Sequence, residues 1–316
     1  MGRSAVTPIL HSIAKLGQIP GPLYLAIGVF DGVHLGHQAV LQRALDDARG
    51  TGGSAVAVTF DPHPLRVLRP ADAPRLLTST AHKLQLIRAL GVAHQLVIPF
   101  TAEFADTPPE EFIRALAAAS QPLREICVGH EWCFGKRRAG NLALLDRMGR
   151  ELGFEEVGVP AIQVEGEIVS STLVRRAIEA GQFDRAARLL GRDFTILGTV
   201  VHGAQTGRKL GFPTANLAAH NEQFPPDGVY AVVAHRLGCS LPGVANIGVR
   251  PTVAHSTGER VLEVHLFDFE GDLYGEDLEV SFARFLRAEQ KFSGLDALRA
   301  QIARDVQTAR ACFAGR

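Results

Sequence analysis

The chain has 316 residues, which is long enough for two domains. Its 33 Lys and Arg residues balance its 33 Asp and Glu residues, so the net charge gives no reason to expect a polyanionic partner such as DNA. A composition of 46% hydrophobic and 21% charged residues is that of an ordinary globular protein and argues against a disordered or fibrous chain.

The cysteines and the amino-terminal segment bear on the compartment. Cys127, Cys133, Cys239 and Cys312 are scattered and form no CxxC pair, so they indicate neither a zinc site nor a disulfide framework. The segment Met1–Gly17 lacks a continuous apolar stretch, so we predict no signal peptide. No apolar run approaches the length of a membrane span. We therefore expect a cytoplasmic protein with no membrane partner.

Residues 23–190 alternate between apolar strand patterns and helical patterns. The predicted strands are Leu23–Val29, Ser54–Phe60, His94–Phe100, Glu125–Gly129 and Glu155–Pro160. The predicted helices are Gly36–Arg49, Ala81–Leu90, Pro109–Ala119, Leu142–Leu152, Ser171–Ala180 and Phe183–Leu190. Strands that alternate with helices are typical of an α/β domain with a doubly wound parallel sheet.

Beyond Gly191 the pattern changes to short β-rich runs punctuated by Gly and Pro. The predicted strands are Phe194–Val201, Val229–His235, Gly243–Ile247, Val261–Phe269 and Leu278–Leu286, and one helix, Leu295–Arg310, follows them. This pattern predicts a small antiparallel β-barrel with a C-terminal helix. We place the domain boundary so that residues 1–190 form the first domain and residues 191–316 the second.

The stretch Leu25–Val40, LAIGVFDGVHLGHQAV, joins a buried strand to a helix through a glycine turn. A strand, a turn and a helix start bring free backbone N–H groups and the positive end of the helix dipole to one point, where phosphate binds. His34 and His37 are spaced so that both imidazoles can face that point. Alone, such a pair is more often a surface feature beside an ordinary turn. The GxFDGxHxGH pattern, however, is similar to that of the HxGH nucleotidyltransferases, and it predicts further phosphate contacts at Gly28, Phe30, Asp31, Gly32 and Gly36.

Two other loops of the first domain follow predicted strands. In TFDPHP, two prolines favour an extended loop that presents Asp61 and His63, although a simple exposed turn fits equally well. Trp132 and Phe134 could pack against a planar ring, and core packing is at least as good an interpretation. The basic run Lys136–Arg138, between two glycines that could act as hinges, is either a mobile phosphate clamp or a solvated face.

The segment VSSTLVR is the strongest partner of the histidine pair. The hydroxyls of Ser170, Ser171 and Thr172 can cap a helix start and bind phosphate, and Arg175 lies one turn later. An ordinary N-cap with a surface arginine is the alternative. Together these groups suit adenylyl transfer to a phosphomonoester, which is already anionic and needs no general base. Such a site needs positive charge for the α-phosphate and the departing pyrophosphate, which the two histidines, Arg175 and Mg²⁺ would supply.

The second domain opens with GRKLGFPTAN, which differs from a Walker A loop. Its glycines and basic pair are candidate ATP contacts: Gly207, Arg208, Lys209 and Gly211. The Thr214 hydroxyl and the Asn216 carbonyl are hard oxygen ligands suited to Mg²⁺. A Gly-rich hairpin with a surface basic pair would account for the first part of the segment but less well for Thr214 and Asn216.

Glu263 is a candidate general base in VLEVHLFDF. Alternation puts Leu262, Val264 and Leu266 on one face, which we predict to be the core, and Glu263 on the other. That other face is half apolar, and an alcohol nucleophile, unlike a phosphate, needs a base. A glutamate on an edge strand is the competing interpretation.

Eight motifs occur in the order found in one family: GVFDGVHLGH, TFDPHP, VSSTLVRRAI, GRKLGFPTANL, GVYAV, NIGVRPT, EVHLFDFEGDLYGEDLEVSF and FLRAEQKF. On these the chain resembles the bifunctional riboflavin kinase/FMN adenylyltransferases, or prokaryotic FAD synthetases. The resemblance implies that ATP phosphorylates riboflavin to FMN in the C-terminal barrel. It also implies that a second ATP adenylylates FMN to FAD, with release of pyrophosphate, in the N-terminal domain.

The resemblance also implies roles for single residues. His34 and His37 would contact the ATP phosphates, and Thr214 and Asn216 would hold Mg²⁺–ATP. Glu263 would deprotonate the ribityl 5′-hydroxyl. The remaining implied contacts are Arg175 and its neighbouring hydroxyls to the triphosphate, and Asp61, His63, Arg287 and Phe292 to the flavin.

Two departures from the family pattern are Glu131-Trp132, where Asp-Phe is frequent, and Val169, where Ile is common. Both are conservative, so we expect both activities. The alternatives are a chain with a single active site and a non-catalytic flavin-binding protein that keeps the fold. A protein of the latter class would lose His37, Thr214 and Glu263 before its apolar periodicity, and here all three are present.

Overall fold

A computed structural model of the chain describes residues 8–203, 206–236, 238–249 and 260–314. The chain divides into two compact units, Met1–Arg75 with Thr80–Ser171 and Leu76–Ser79 with Thr172–Arg316. The functional boundary that we place between residues 190 and 191 stays a prediction.

The first unit is built on a five-stranded parallel sheet in the order β3-β2-β1-β4-β5. Its strands are β1 (Leu23–Ile27), β2 (Ser54–Asp61), β3 (His94–Pro99), β4 (Leu123–Gly129) and β5 (Glu155–Val159). Its helices are α1 (Leu35–Thr51), α2 (Pro64–Leu68), α3 (Thr80–Ala89), α4 (Ala102–Ala105), α5 (Pro109–Ala119) and α6 (Leu142–Leu152). A hairpin of β6 (Gln163–Val164) and β7 (Glu167–Ile168) follows the sheet.

Both faces of this sheet are covered, which is why its central strand is apolar throughout. Successive residues of β1 enter different cores: Leu25 packs in a cluster with α5 and α6, and Ala26 in a cluster with α1. All five β1 residues are buried. The predicted doubly wound parallel sheet is confirmed.

The segment after β2 differs from the prediction. We expected the two prolines of TFDPHP to keep it extended, yet α2 begins at Pro64. A proline is tolerated at the first position of a helix because its missing N–H has no partner there in any case. The His63 ring caps this helix, its Nδ1 accepting from Leu65 N at 3.1 Å.

The second unit contains a closed six-stranded barrel in the order β10-β11-β12-β9-β8-β13, with every adjacent pair antiparallel. In chain order its elements are α7 (Ser171–Glu179), α8 (Phe183–Leu190), β8 (Thr195–Val201), α9 (Thr206–Lys209), β9 (Ala215–Ala219), β10 (Gly228–Arg236), β11 (Cys239–Val249), β12 (Arg260–Leu266), β13 (Asp277–Arg287) and α10 (Leu295–Phe313). Helix α7 starts at Ser171, the last residue of the first unit. The predicted barrel and C-terminal helix are confirmed.

Two elements of this unit are additional to the prediction. Strand β9 has the sequence ANLAA, which lacks the β-branched and aromatic residues that indicate strands. It forms because it closes the barrel between β12 and β8. Helix α9 is a single short turn, below the length at which periodicity is recognisable.

Two helices pack on the barrel. Phe183 of α8 stacks on Phe282 of β13 with ring centroids 5.6 Å apart, and it meets the edge of Tyr230 at 5.7 Å. Helix α10 buries Ala309 in a cluster with Val229 of β10.

The short segment Leu76–Ser79 also belongs to the second unit. The carbonyl of Leu76 accepts from the backbone N–H groups of Glu222 at 3.0 Å and Gln223 at 2.9 Å.

Candidate active sites

The start of α1 holds the histidine pair. His34 is the N-cap residue, and its Nδ1 accepts from the backbone N–H of His37 at 3.3 Å, which leaves its Nε2 to carry the ring proton. The two imidazoles are stacked with centroids 3.6 Å apart and an interplanar angle of 17°. Phe30 contacts His37 edge-on at 5.4 Å. The structure therefore brings both predicted histidines to one helix N-terminus, as the phosphate-binding prediction requires.

The turn before α1 has an unusual backbone conformation. Phe30, Gly32 and Val33 all have positive φ angles, at 54°, 80° and 43°. Within the turn, the Val33 N–H donates to the Phe30 carbonyl at 3.1 Å. A Cβ added at Gly28 would lie 2.7 Å from the Phe30 ring, so the glycine is needed for this packing.

The VSST segment reaches the same turn. The hydroxyl of Ser171 donates to the backbone carbonyl of Asp31 at 2.9 Å, and Asp31 itself is buried. The carbonyl of Val169 lies 3.7 Å from where a Cβ on Gly36 would be. Ser170 and Ser171 thus adjoin the histidine turn, as predicted, whereas Thr172 and Arg175 lie on the part of α7 that belongs to the second unit.

His37 differs from its predicted electrostatic role. Burial, the adjacent His34 ring and Lys83 together hold the pKa of His37 well below its usual value. Its Nδ1 is buried without a hydrogen-bond partner among the residues that the structure describes. The imidazole is therefore neutral at pH 7 and acts as a hydrogen-bonding group, not as the cation that we predicted. A phosphate anion placed against it would raise this pKa.

Lys83 on α3 is a buried group that the sequence prediction missed. Its Nζ donates to the carbonyl of Val29 and to the hydroxyl of Thr59, both at 3.0 Å. Burial lowers its pKa to about 8, while Asp31 and Asp61 oppose that shift. A signal was available, because Lys83 lies one helical turn before the buried Ile87 and so shares its face.

The other predicted side chains of the first unit differ in how far they are exposed to solvent. Asp61 is exposed at the end of β2, and His63 is half-buried as the α2 cap. Trp132 and Phe134 stack on each other at 4.3 Å, and Phe134 belongs to the main core cluster. The core-packing interpretation of this aromatic pair is therefore the better one.

The basic run Lys136–Arg138 forms a short 3-10 helix with an ion pair between Lys136 and Asp106 at 3.2 Å. The glycines beside it are not hinges. A Cβ added at Gly135 would lie 2.7 Å from Pro109, and one at Gly140 would lie 2.8 Å from the Phe134 ring. Both glycines are needed because neighbouring groups approach closely.

The candidate base of the second unit lies among polar side chains. Glu263 pairs directly with Asn216 of β9 on one side and with Asn246 of β11 on the other. Directly paired residues point to the same side of a sheet, so the three side chains share a face. Asn246 Nδ2 donates to Glu289 at 3.1 Å. The flanking Leu262 and Val264 are buried, as the alternation predicted.

The two predicted magnesium ligands, Thr214 and Asn216, lie close against glycines. Asn216 is buried, and a Cβ added at Gly203 would lie 2.4 Å from its amide group. A Cβ at Gly207 would lie 3.2 Å from the Thr214 hydroxyl oxygen and 2.4 Å from the Phe212 carbonyl. Glycines at these points leave room for the two oxygen-bearing side chains, which fits a hard cation.

A cavity of about 360 Å³ adjoins this position. Arg208 and Thr214 line it together with Asp272 and Tyr274 of the EGDLYGE segment. Tyr274 stacks on His202 with centroids 3.8 Å apart. Arg208 and Thr214 therefore lie in one concave site. Lys209 is exposed, and Gly211 lies in a turn with a φ of +89°.

Arg287, a predicted flavin contact, already has a strong partner. Its guanidinium makes a bidentate pair with the buried Asp305 of α10, with Nη2 to Oδ2 at 2.7 Å and Nε to Oδ1 at 3.0 Å. It also lies 5.8 Å from the centroid of the Phe292 ring. Asp305 was not singled out in the sequence, because the pair joins positions on a strand and a later helix.

Two general expectations can be compared with the described part of the chain. The four cysteines are all free there, in agreement with the prediction of no disulfide framework. No helix within residues 8–203, 206–236, 238–249 and 260–314 is both long and apolar enough to span a bilayer.

Two family models match the chain, one in each half. Residues 17–173 match the family model described as FAD synthetase, and residues 190–313 match that described as riboflavin kinase. A solved structure titled a macrolide-efflux protein from Streptococcus pneumoniae shares the fold, with a TM-score of 0.80 and 28% identity over 96% of this chain and 99% of that one.

Curated relatives match along nearly their whole length. The bifunctional riboflavin kinase/FMN adenylyltransferase of Escherichia coli strain K12 is 40% identical over 96% of this chain and 97% of its own. That of Pseudomonas fluorescens is 42% identical over 91% of this chain and 92% of its own. The motifs, the fold and these matches agree, and this chain belongs to the family of bifunctional riboflavin kinase/FMN adenylyltransferases.

Proposed function

We propose that this chain makes FAD in two steps at two separate sites. The barrel transfers the γ-phosphoryl group of ATP to riboflavin and forms FMN. The parallel-sheet unit transfers the adenylyl group of a second ATP to FMN and forms FAD and pyrophosphate. The observation that carries the proposal is the contrast between the sites, because one offers backbone donors and neutral imidazoles and the other a carboxylate beside oxygen ligands.

In the adenylyltransferase site, the FMN phosphate oxygen attacks the α-phosphorus of ATP, and the bond to the pyrophosphate oxygen breaks. The attacking group is already anionic, so no residue has to remove a proton. Backbone N–H groups at the start of α1 and the imidazoles of His34 and His37 donate to phosphate oxygens as charge shifts onto the leaving group. Ser170 and Ser171 add donors beside the turn, and we assign Thr172 and Arg175 to the triphosphate.

In the kinase site, Glu263 takes the proton of the ribityl 5′-hydroxyl as that oxygen attacks the γ-phosphorus and ADP leaves. The cavity that Arg208, Thr214 and Tyr274 line is the proposed ATP site. Arg287 and Phe292 border the flavin and act as one unit with Asp305. Asp61 and His63 remain our proposed flavin contacts in the other unit.

We propose Mg²⁺ as the metal of the kinase site. The Thr214 hydroxyl and the Asn216 carbonyl would hold it, and the fitted glycines around them support this assignment. When bound, Mg²⁺ neutralises phosphate charge on ATP. The residues themselves orient the nucleotide against Glu263, which Asn216 faces across the strand pair.

We further propose that the enzyme acts in the cytoplasm and that the functional domains are residues 1–190 and 191–316.

A time course tests the proposal directly. Purified full-length protein is incubated with riboflavin, ATP and Mg²⁺, and the flavins are separated by chromatography. FMN should rise first and then convert to FAD. FMN that accumulates without FAD would contradict the adenylyltransferase assignment. No FMN from riboflavin, together with FAD from added FMN, would contradict the kinase assignment, and bound flavin with no turnover would indicate a non-catalytic protein.

A further inference from the structure

Lys83 is a buried charge for which the mechanism above has no role. Only 5% of the residue is exposed, and its helix, α3, packs beside the ends of β1 and β2. Lysine is almost never fully buried unless it is paired with other groups. Its position therefore needs an explanation beyond core packing.

The two carbonyl acceptors of Lys83 belong to residues that directly precede predicted ligand contacts in the chain. Its Nζ donates to the Val29 carbonyl, which precedes the Phe30–Asp31 turn, at 3.0 Å. It also lies 3.5 Å from the Phe60 carbonyl, which precedes Asp61. The third acceptor, the Thr59 hydroxyl, donates in turn to Val29 at 3.0 Å. One ammonium group thus ties together the ends of two neighbouring strands.

The carboxylates that act on the charge of Lys83 lie at the same edge of the sheet. Asp31 in the turn and Asp61 at the end of β2 stabilise the ammonium form. Burial acts more strongly in the other direction and lowers the pKa of Lys83 to about 8. The amine is therefore still charged at pH 7. On α1, burial lowers the pKa of His37 most, and the charges of His34 and then Lys83 lower it further.

We propose that Lys83 is a positioning residue of the adenylyltransferase site: its ammonium group, bonded to Val29, Thr59 and Phe60, fixes the spacing of the β1 and β2 ends. A phosphate oxygen then accepts a hydrogen bond from the His37 imidazole, which follows a turn of fixed geometry. This inference rests on the proposed placement of adenylyl transfer at His34 and His37. The competing explanation is that Lys83 only satisfies buried carbonyls and contributes to folding.

The main test is Lys83→Met in the full-length protein, with Lys15→Met as the matched control. Lys15 is an exposed lysine of the same unit. FMN adenylylation is measured from pH 6 to 9, with riboflavin phosphorylation by the same molecule as the internal reference. We expect Lys83→Met to lower kcat for FAD formation by about 10²-fold, as misplaced reacting groups do, with a smaller change in KM. Lys15→Met and the kinase reaction should be unchanged.

The pH profile separates positioning from folding alone. Wild-type FAD formation should fall above about pH 8, where Lys83 loses its proton, and the residual activity of Lys83→Met should lack that step. Imidazole NMR should show a higher pKa for His37 in Lys83→Met than in the wild type. A lower melting temperature with an unchanged His37 pKa and pH profile would overturn the inference.

Two further measurements keep the test decisive. In the wild type, the His37 ring signals should show a second titration near pH 8 that reports Lys83, and its absence would contradict the inference even if Lys83→Met failed to fold. His37→Ala separates the inference from the proposal beneath it. If His37→Ala still makes FAD at the wild-type rate, the proposed site is wrong. If it does not, but Lys83→Met behaves like the wild type, only the role of Lys83 is wrong.

Discussion

The phosphate sites proposed for the two units use different parts of the chain. In the parallel-sheet unit, the proposed donors are backbone N–H groups at the start of α1 and the imidazoles of His34 and His37. In the barrel, the proposed groups are side chains: Asn216 and Glu263 pair on adjacent strands, and Thr214 lines a cavity. The first site is made by chain geometry and the second by side-chain chemistry.

The nucleophile accounts for this difference. A phosphate nucleophile arrives without a proton to lose, so the first site needs only donors held in place. An alcohol has to be deprotonated, so the second site needs a carboxylate. Substitution of a side chain in one site should therefore affect one reaction and not the other. The loss should be larger where the reaction depends on a single group.

The largest effect is expected from Glu263→Gln. Removal of the general base should slow FMN formation from riboflavin by about 10²–10⁴-fold, because the alcohol then keeps its proton as it attacks. The amide keeps the shape of the side chain, and FAD formation from supplied FMN should be unchanged. Steady-state rates of both reactions check this. An equal loss of both would contradict the division between the units.

His37→Ala should lower FAD formation by about 10²–10³-fold, the cost of losing one donor to a developing phosphate charge. FMN formation should be unaffected. His11→Ala is the matched control, because His11 is an exposed histidine of the same unit. If both alanine variants reduced FAD formation alike, the effect could not be assigned to the turn.

Asp305→Asn tests whether Arg287 depends on its partner. Breaking this largely buried ion pair leaves a guanidinium without its carboxylate and should lower the free energy of unfolding by about 3 kcal/mol. The KM for riboflavin should rise more than that for ATP. Asp296→Asn, at an exposed position in the first turn of the same helix, should cost less than about 1 kcal/mol. Urea denaturation and steady-state kinetics distinguish the two variants.

The smallest effect is expected at the glycines of the first unit. Gly135→Ala should destabilise the protein by about 1–3 kcal/mol, since its Cβ would lie 2.7 Å from Pro109. Gly166→Ala is the control, because Gly166 also has a positive φ, +80°, but nothing lies within 4 Å of an added Cβ. Gly166→Ala should lower the free energy of unfolding by about 1 kcal/mol. Equal losses, measured by thermal unfolding, would show that backbone strain and not crowding decides the effect.

The sequence predicts the features that rest on periodicity and local turn chemistry. The alternation in β12 placed Leu262 and Val264 in the core and Glu263 on the other face, and the apolar β1 indicated a buried parallel strand. The HxGH spacing placed His34 and His37 on one helix start. These features depend on residues close together in the chain.

Contacts between distant segments could not be predicted in this way. Lys83 reaches Val29 across 54 positions, and nothing local indicates which carbonyls it meets. The lowered pKa of His37 depends on burial, on His34 and on that lysine, so the sequence suggested a cation where the structure has a neutral ring. Strand β9 is set by barrel closure instead of its own composition.

The most direct test of two independent sites is a complementation assay. Glu263→Gln and His37→Ala are purified separately and given riboflavin, ATP and Mg²⁺, alone and mixed. Neither variant alone should make FAD, His37→Ala should accumulate FMN, and the mixture should produce FAD because FMN from one variant is the substrate of the other. Loss of both partial reactions in either variant, with no FAD from the mixture, would contradict the account.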